Sequence, residues 1–175
     1  MSTFIWGKIK FNKKIIIDNY QRNNILVFFS NQKNDLFQND LEEDEIYFNI
    51  ACGYDKMVNL SLHKMKYLNC ADSYFSINAL KIEDDLESCF KKLFLRILDL
   101  QNVIKEIFNN KNVQQITYYH TESGNENSID EYELVNWNLE DFANKFFTEI
   151  KNNKGFAPTI KIVFNKSNND KNNKL

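Results

Sequence analysis

The chain has 175 residues, 22 Lys and Arg against 24 Asp and Glu, 43% hydrophobic residues and 14% aromatic ones, the composition of a single compact domain long enough to bury its own core. With 26% charged residues it is not disordered as a whole, and no run approaches the roughly 18 apolar residues that a membrane helix requires. Arg occurs only at Arg22 and Arg96 while Asn occurs 27 times, which looks like the codon bias of an AT-rich genome; with a net charge of −2, so little Arg weighs against nucleic-acid binding, where planar guanidinium forks grip phosphates and guanine edges.

Near the start, Ile5, Gly7, Ile9 and Phe11 alternate with Phe4, Trp6, Lys8 and Lys10, the period of a strand with one face fully buried. Further strands are predicted at 15–17, 25–29, 45–51 (Ile46, Phe48 and Ile50 inward) and 74–80 (Phe75, Ile77 and Ala79), all short, rich in β-branched or aromatic residues and separated by Asn, Asp and Gly. Between them, 31–44 is polar and reads as a mobile loop or short helix, and 57–68 fits a strand or a short helix equally well.

The clearest element is a helix over 84–108. Leu86, Phe90, Leu93, Ile97, Leu100, Ile104 and Ile107 recur at gaps of four and three, and Phe94, Leu98 and Phe108 widen the apolar arc, so more than one side is covered. Asp84 with Glu87 three residues on resembles a capping box, and Asn109-Asn110 marks the end. A strand at 113–120, a polar turn at 121–129 and a strand at 131–136 then read as a hairpin. A second helix follows, capped by Asn138, with Leu139, Phe142, Ala143, Phe146, Phe147 and Ile150 as its stripe, and ended by Gly155 and Pro158. A strand over 159–164 closes the domain. The tail 165–175 has too little apolar surface to offset the entropy of ordering it and is expected to be disordered. The fold class is therefore α+β: one domain over 1–164, a mainly antiparallel twisted sheet with one long and one shorter helix packed on it.

Chemical signatures are sparse. None of the phosphate-cradling, zinc-protease or nucleophile-elbow motifs occurs, and Gly7, Gly53, Gly124 and Gly155 stand in separate segments. His63 and Cys70 have no neighbour at ligand spacing, so neither a metal nor a cofactor is expected. Cys52, Cys70 and Cys89 are an odd number at spacings of no disulfide or zinc scaffold and read as reduced, buried thiols. The first residues lack the basic and apolar regions of a secretory signal, so the expected compartment is the cytoplasm. The best catalytic candidate is His120, followed by Glu122 and faced across the turn by Asp130 and Glu131, because a carboxylate can orient an imidazole for acid–base work. The simpler reading is a solvated histidine at a strand end.

Charge segregation is the strongest departure from average. Residues 40–55 carry −6, and 112–144 carry −7 without one Lys or Arg. If the sheet brought both blocks to one edge, their joint field would speed association with a basic partner. Tyr118, Tyr119, Tyr132 and Trp137 lie in the second block, and aromatic rings beside carboxylates make a common hot-spot composition. The candidate partner-binding set is Glu122, Glu126, Asp130, Glu131, Tyr132, Glu133 and Trp137, with no catalytic residue assigned.

In this general character, and in the segment 130–141 (DEYELVNWNLED), the chain resembles the immunity proteins of bacterial polymorphic-toxin and contact-dependent growth-inhibition systems. The resemblance implies a cognate toxin domain, commonly a basic nuclease, neutralised by blocking its active site or substrate surface. The alternatives are a small enzyme using His120 with Glu122 or Asp130, and a structural subunit whose aromatic sheet face pairs with a copy of itself. Monomer and dimer both remain open at this level.

Overall fold

The computed structural model describes residues 3–13, 16–31, 41–53, 74–80, 85–122 and 132–166. Strands β1 (Thr3–Phe11), β2 (Tyr20–Arg22), β3 (Ile25–Ser30), β4 (Glu45–Cys52), β5 (Val113–Glu122), β6 (Glu133–Leu134) and β7 (Ile160–Asn165) form one sheet in the order β2-β3-β4-β1-β5-β7-β6. Every pairing is antiparallel except that of β6 with β7. Helices α1 (Ile77–Leu80), α2 (Leu86–Asn109) and α3 (Phe142–Asn152) complete an α+β domain.

Alternation along the strands sends Ile5, Ile9, Ile46, Phe48, Ile50, Ile116, Ile160 and Ile162 into one core, where Leu93, Ile97, Leu100 and Ile104 of α2 and Phe142, Phe146 and Ile150 of α3 meet them. The alternate residues Trp6, Tyr47 and Tyr119 form a second cluster with Tyr132 on the opposite face. Trp6 and Tyr119 are direct cross-strand partners and their rings stack at 4.0 Å, a favourable pairing for flat aromatic surfaces. Gly7 has a packing reason. A Cβ there would collide with the Thr117 carbonyl oxygen and lie 2.6 Å from the Phe48 ring, so β1 admits the ring only because the side chain is missing.

The long helix spans nearly its predicted range, with its boundary set one residue later. Asp85, not Asp84, is the N-cap, accepting from the backbone N–H groups of Glu87 and Ser88 at 3.0 Å each; Asp84 lies outside the described residues. Leu86 is 48% exposed and Cys89 fills the stripe position expected for it. Asn138 is not the cap of α3: Asp141 holds the N-cap position without a side-chain cap bond, and Asn138 sits three residues earlier, where its Oδ1 accepts from Asp141 N–H at 2.8 Å in the turn that feeds the helix. Gly155, at φ 89°, ends α3 by donating to the Ile150 carbonyl oxygen, the left-handed closure that favours glycine.

Other expectations give way. The strand predicted at 15–17 does not extend over Ile16 and Ile17, which run outside the sheet with Ile16 95% exposed; the edge strand is the polar Tyr20–Arg22, Ile15 lying outside the described residues. The strand predicted at 74–80 is instead a turn followed by α1, fixed because Ile77 N–H donates to the Gly155 carbonyl oxygen. The hairpin of 113–120 with 131–136 is absent among the described residues. β6 pairs in parallel with β7, continued by Val135 N–H donating to the Lys161 carbonyl oxygen, because β7 occupies the flank of β5 that a hairpin partner would need. The boundary at 164 also moves. Asn165 belongs to β7, and Lys166 donates from its backbone to Gln114 and from Nζ to the Asn110 carbonyl oxygen. The remaining tail, 167–175, the segment 57–68, the polar stretch 32–40 and the turn 123–129 lie outside the described residues.

Candidate functional site

His120 is neither solvated nor beside a described carboxylate. It is fully buried near the end of β5, its ring 4.7 Å from that of Phe146 and 5.6 Å from that of Phe75. Nδ1 shares a 2.8 Å hydrogen bond with the Tyr118 hydroxyl, and Nε2 has no hydrogen-bond partner among the described residues. Burial with no compensating charge drives its pKa down from 6.5 to about 3, because a cation would have to be desolvated there. The imidazole is therefore neutral and closed off from solvent, which corrects the reading of a solvated strand-end histidine. The side chain of Glu122 and residues 126, 130 and 131 lie outside the described residues. Cys52 and Cys89 are buried thiols, in agreement with the sequence reading; Cys70 lies outside the described residues.

Among the described residues, the members of the two acidic blocks that lie in the sheet, Glu45 and Glu133, stand apart. Glu45 sits level with Lys10 and, through β1, with Gln115 and Asn165, whereas Glu133 sits level with Ile160, His120 and Ile5. Five residues along the strands and four strand spacings across separate Glu45 from Glu133, about 25 Å at ~3.4 Å per residue and ~4.8 Å per strand. That distance exceeds the ~8 Å screening length of physiological salt, so these two carboxylates act independently. Three described carboxylates of the first block have lysine partners. Lys8 Nζ lies 3.0 Å from Glu45, and Lys10 Nζ lies 2.5 Å from Glu42 and 3.8 Å from Asp44. The hydrogen bond from Lys10 holds the Glu42 carboxyl below its usual range.

In the second block Glu140 is bound by Lys105, and Asp141 accepts from Asn138. Glu133 stays exposed on β6, the outermost strand, with no ion pair among the described residues, and beside it Leu134 is 67% exposed. The two aromatic candidates part company. Tyr132 is buried against Tyr119 and Trp6, at 5.4 and 6.5 Å between ring centroids. Trp137 packs on the helix side of the sheet against Phe142 and Phe146, at 6.2 and 6.4 Å. Each supports a core cluster, and they share no surface.

One polar core residue was not singled out in the sequence. Gln101, buried inside the apolar stripe of α2, accepts from Ala143 N–H at 2.7 Å, satisfying one of the donors that a helix start leaves without an intrahelical partner. Its signal was a polar residue four positions after Ile97, on the buried face. A cavity of about 280 Å³ between the β2–β3 corner and the end of α2 is lined by Ile17, Tyr20, Phe29, Glu106, Ile107 and Asn110. Its polar groups are engaged: Glu106 binds Arg22, and the Tyr20 hydroxyl points to the Val103 carbonyl oxygen at 3.4 Å. Among the described residues no three His, Cys, Asp or Glu gather as a metal site, and no described helix is long and apolar enough to cross a membrane. Comparison with protein-family models, with curated proteins and with solved structures finds no match to this chain.

Proposed function

We propose that the protein is a protein-binding module of the immunity type, acting in the cytoplasm without chemistry of its own, which neutralises a basic, nuclease-type toxin domain. The docking surface is the β6 edge together with the acidic segment 122–131 that leads into it. The observation that carries this reading is the pair Glu133–Leu134, consecutive exposed residues of the edge strand, a carboxylate with no ion pair among the described residues and a largely exposed apolar side chain. Such a pair suits an interface in which apolar contact supplies affinity and the surrounding acids supply steering. The cationic partner follows from the sequence, since 112–144 contains seven acids and no Lys or Arg. The sealed position of His120 supports a binding role over the alternative that builds acid–base catalysis on it.

The test is calorimetric and stopped-flow titration of the chain with basic toxin domains encoded beside its gene. Glu131→Lys with Glu133→Lys should leave the melting temperature in place and weaken binding chiefly through a salt-sensitive association rate, while Leu134→Asp should raise the dissociation rate. Affinity that is unchanged at low salt in the charge-reversed variant removes this edge from the interface.

A further inference from the structure

The outward face of α2 is more apolar than a solvated helix face needs to be. Helical periodicity sets Ser88, Lys91, Leu95, Leu98 and Asn102 along one stripe pointing away from the sheet. Leu95 is 52% exposed, Leu98 is half-buried and Lys91 is exposed with no ion pair among the described residues. Next to this stripe, Phe90 and Phe94 meet Phe147 of α3 edge-to-face at 5.9 and 5.5 Å; all three rings pack against the core and keep one half-buried edge beside Leu95. An isolated exposed leucine is ordinary, but Leu95 is flanked by Leu98 and the phenyl rings, each of which packs on the core and leaves part of its surface uncovered, so together they make a partly exposed apolar strip.

We infer that this strip is the contact surface for a second copy of the chain, α2 packing antiparallel on α2 across a two-fold axis that passes between Leu95 and Leu98. In that register Leu95 of each copy lies against Leu98 of the other, beside the Phe94–Phe147 ring pair, and every contact occurs twice, as an isologous interface requires. The charges choose this occupant. Lys91 falls three residues, about 4.5 Å along the axis, from Asp99 of the opposite copy, within reach of a lysine side chain. Asp99 is half-buried, and its carboxylate accepts from Asn23 Nδ2 at 3.0 Å, which leaves acceptor capacity for an ammonium group. A uniformly basic partner would meet Lys91 and a uniformly acidic one would meet Asp99, whereas the antiparallel copy pairs each with its complement. The contact lies on the helix layer and leaves the β6 edge uncovered, so it stands independently of the proposed toxin binding.

Sedimentation equilibrium of the full chain from about 1 to about 500 µM tests this directly. The mass should rise from 20.8 kDa toward twice that value. Leu95→Glu should hold the chain at monomer mass over the whole range with its circular dichroism and melting temperature unchanged. Lys91→Glu should raise the dimer dissociation constant about tenfold, and adding Asp99→Lys should restore it. A wild-type chain that is monomeric throughout overturns the inference, as does a dimer indifferent to Lys91→Glu. Because Lys91 makes no core contact, its substitution decides the matter even if Leu95→Glu does not fold.

Discussion

Protonating His120 should be among the most costly single events the folded chain can undergo, and its size can be worked from the structure. In the unfolded chain the imidazole titrates near 6.5; in the fold, burial holds it neutral down to about 3. The folded-state pKa is depressed, so the stability tied to the neutral form is fully present above pH 6.5 and drains away as pH falls toward 3, where unfolding takes up a proton that the native state refuses. At about 1.4 kcal/mol per pH unit the total is on the order of 5 kcal/mol, a large share of the ~5–15 kcal/mol that holds a domain together. The variant that isolates the effect is His120→Phe with Tyr118→Phe, which removes both partners of the buried 2.8 Å hydrogen bond and leaves neither group unsatisfied. Urea unfolding followed by Trp fluorescence at about pH 7, 6, 5 and 4 should show the wild type losing stability faster than the variant at each step, because surface carboxylates titrate equally in both. Parallel loss in the two proteins would refute the reasoning.

Two further substitutions test the packing directly. Gly7→Ala must push the Phe48 ring or the Thr117 carbonyl away from β1, and should cost at least the 1–3 kcal/mol typical of overpacking, read as a lowered urea midpoint at unchanged slope. Gln101→Leu keeps apolar volume but strands the Ala143 N–H at the start of α3; a loss of about 1–3 kcal/mol with faster hydrogen exchange at that amide is expected, whereas an unchanged exchange rate would show that the bond is dispensable.

The elements readable from sequence are those whose information is local. The four-and-three spacing from Leu93 to Ile107 specifies α2, and Phe142, Ala143, Phe146 and Ile150 specify α3, because a helix closes its hydrogen bonds within its own segment. Strict alternation in 5–11, 46–50 and 160–164 identifies strands because successive side chains point to opposite faces, so burial of one face leaves a period of two in the segment itself. Where alternation was weak, composition misled. Ile15-Ile16-Ile17 has the chemistry of a strand but reaches no partner over its described part, while Tyr20-Gln21-Arg22, with no apolar signal of its own, pairs because β3 supplies the ladder. Phe75 and Ile77 were correctly read as apolar and inward, yet they belong to a turn and a one-turn helix wedged against α3.

For the candidate site the division is sharper. Composition along the chain established that acids cluster, that bases avoid 112–144, and that the helices are amphipathic, since each of these is a property of consecutive residues. Which carboxylates remain without a cation, which face Tyr132 and Trp137 choose, and whether His120 meets water depend on contacts between different elements, such as Lys8 with Glu45, Tyr132 with Trp6 and His120 with Phe75. Lys8 and Lys10 reach Glu45 and Glu42 only because β1 and β4 are neighbours, and β6 sits at the sheet edge only because β7 takes the flank of β5. Pairing of distant strands is set by the total burial it achieves, a sum over the whole core that no single stretch of residues encodes.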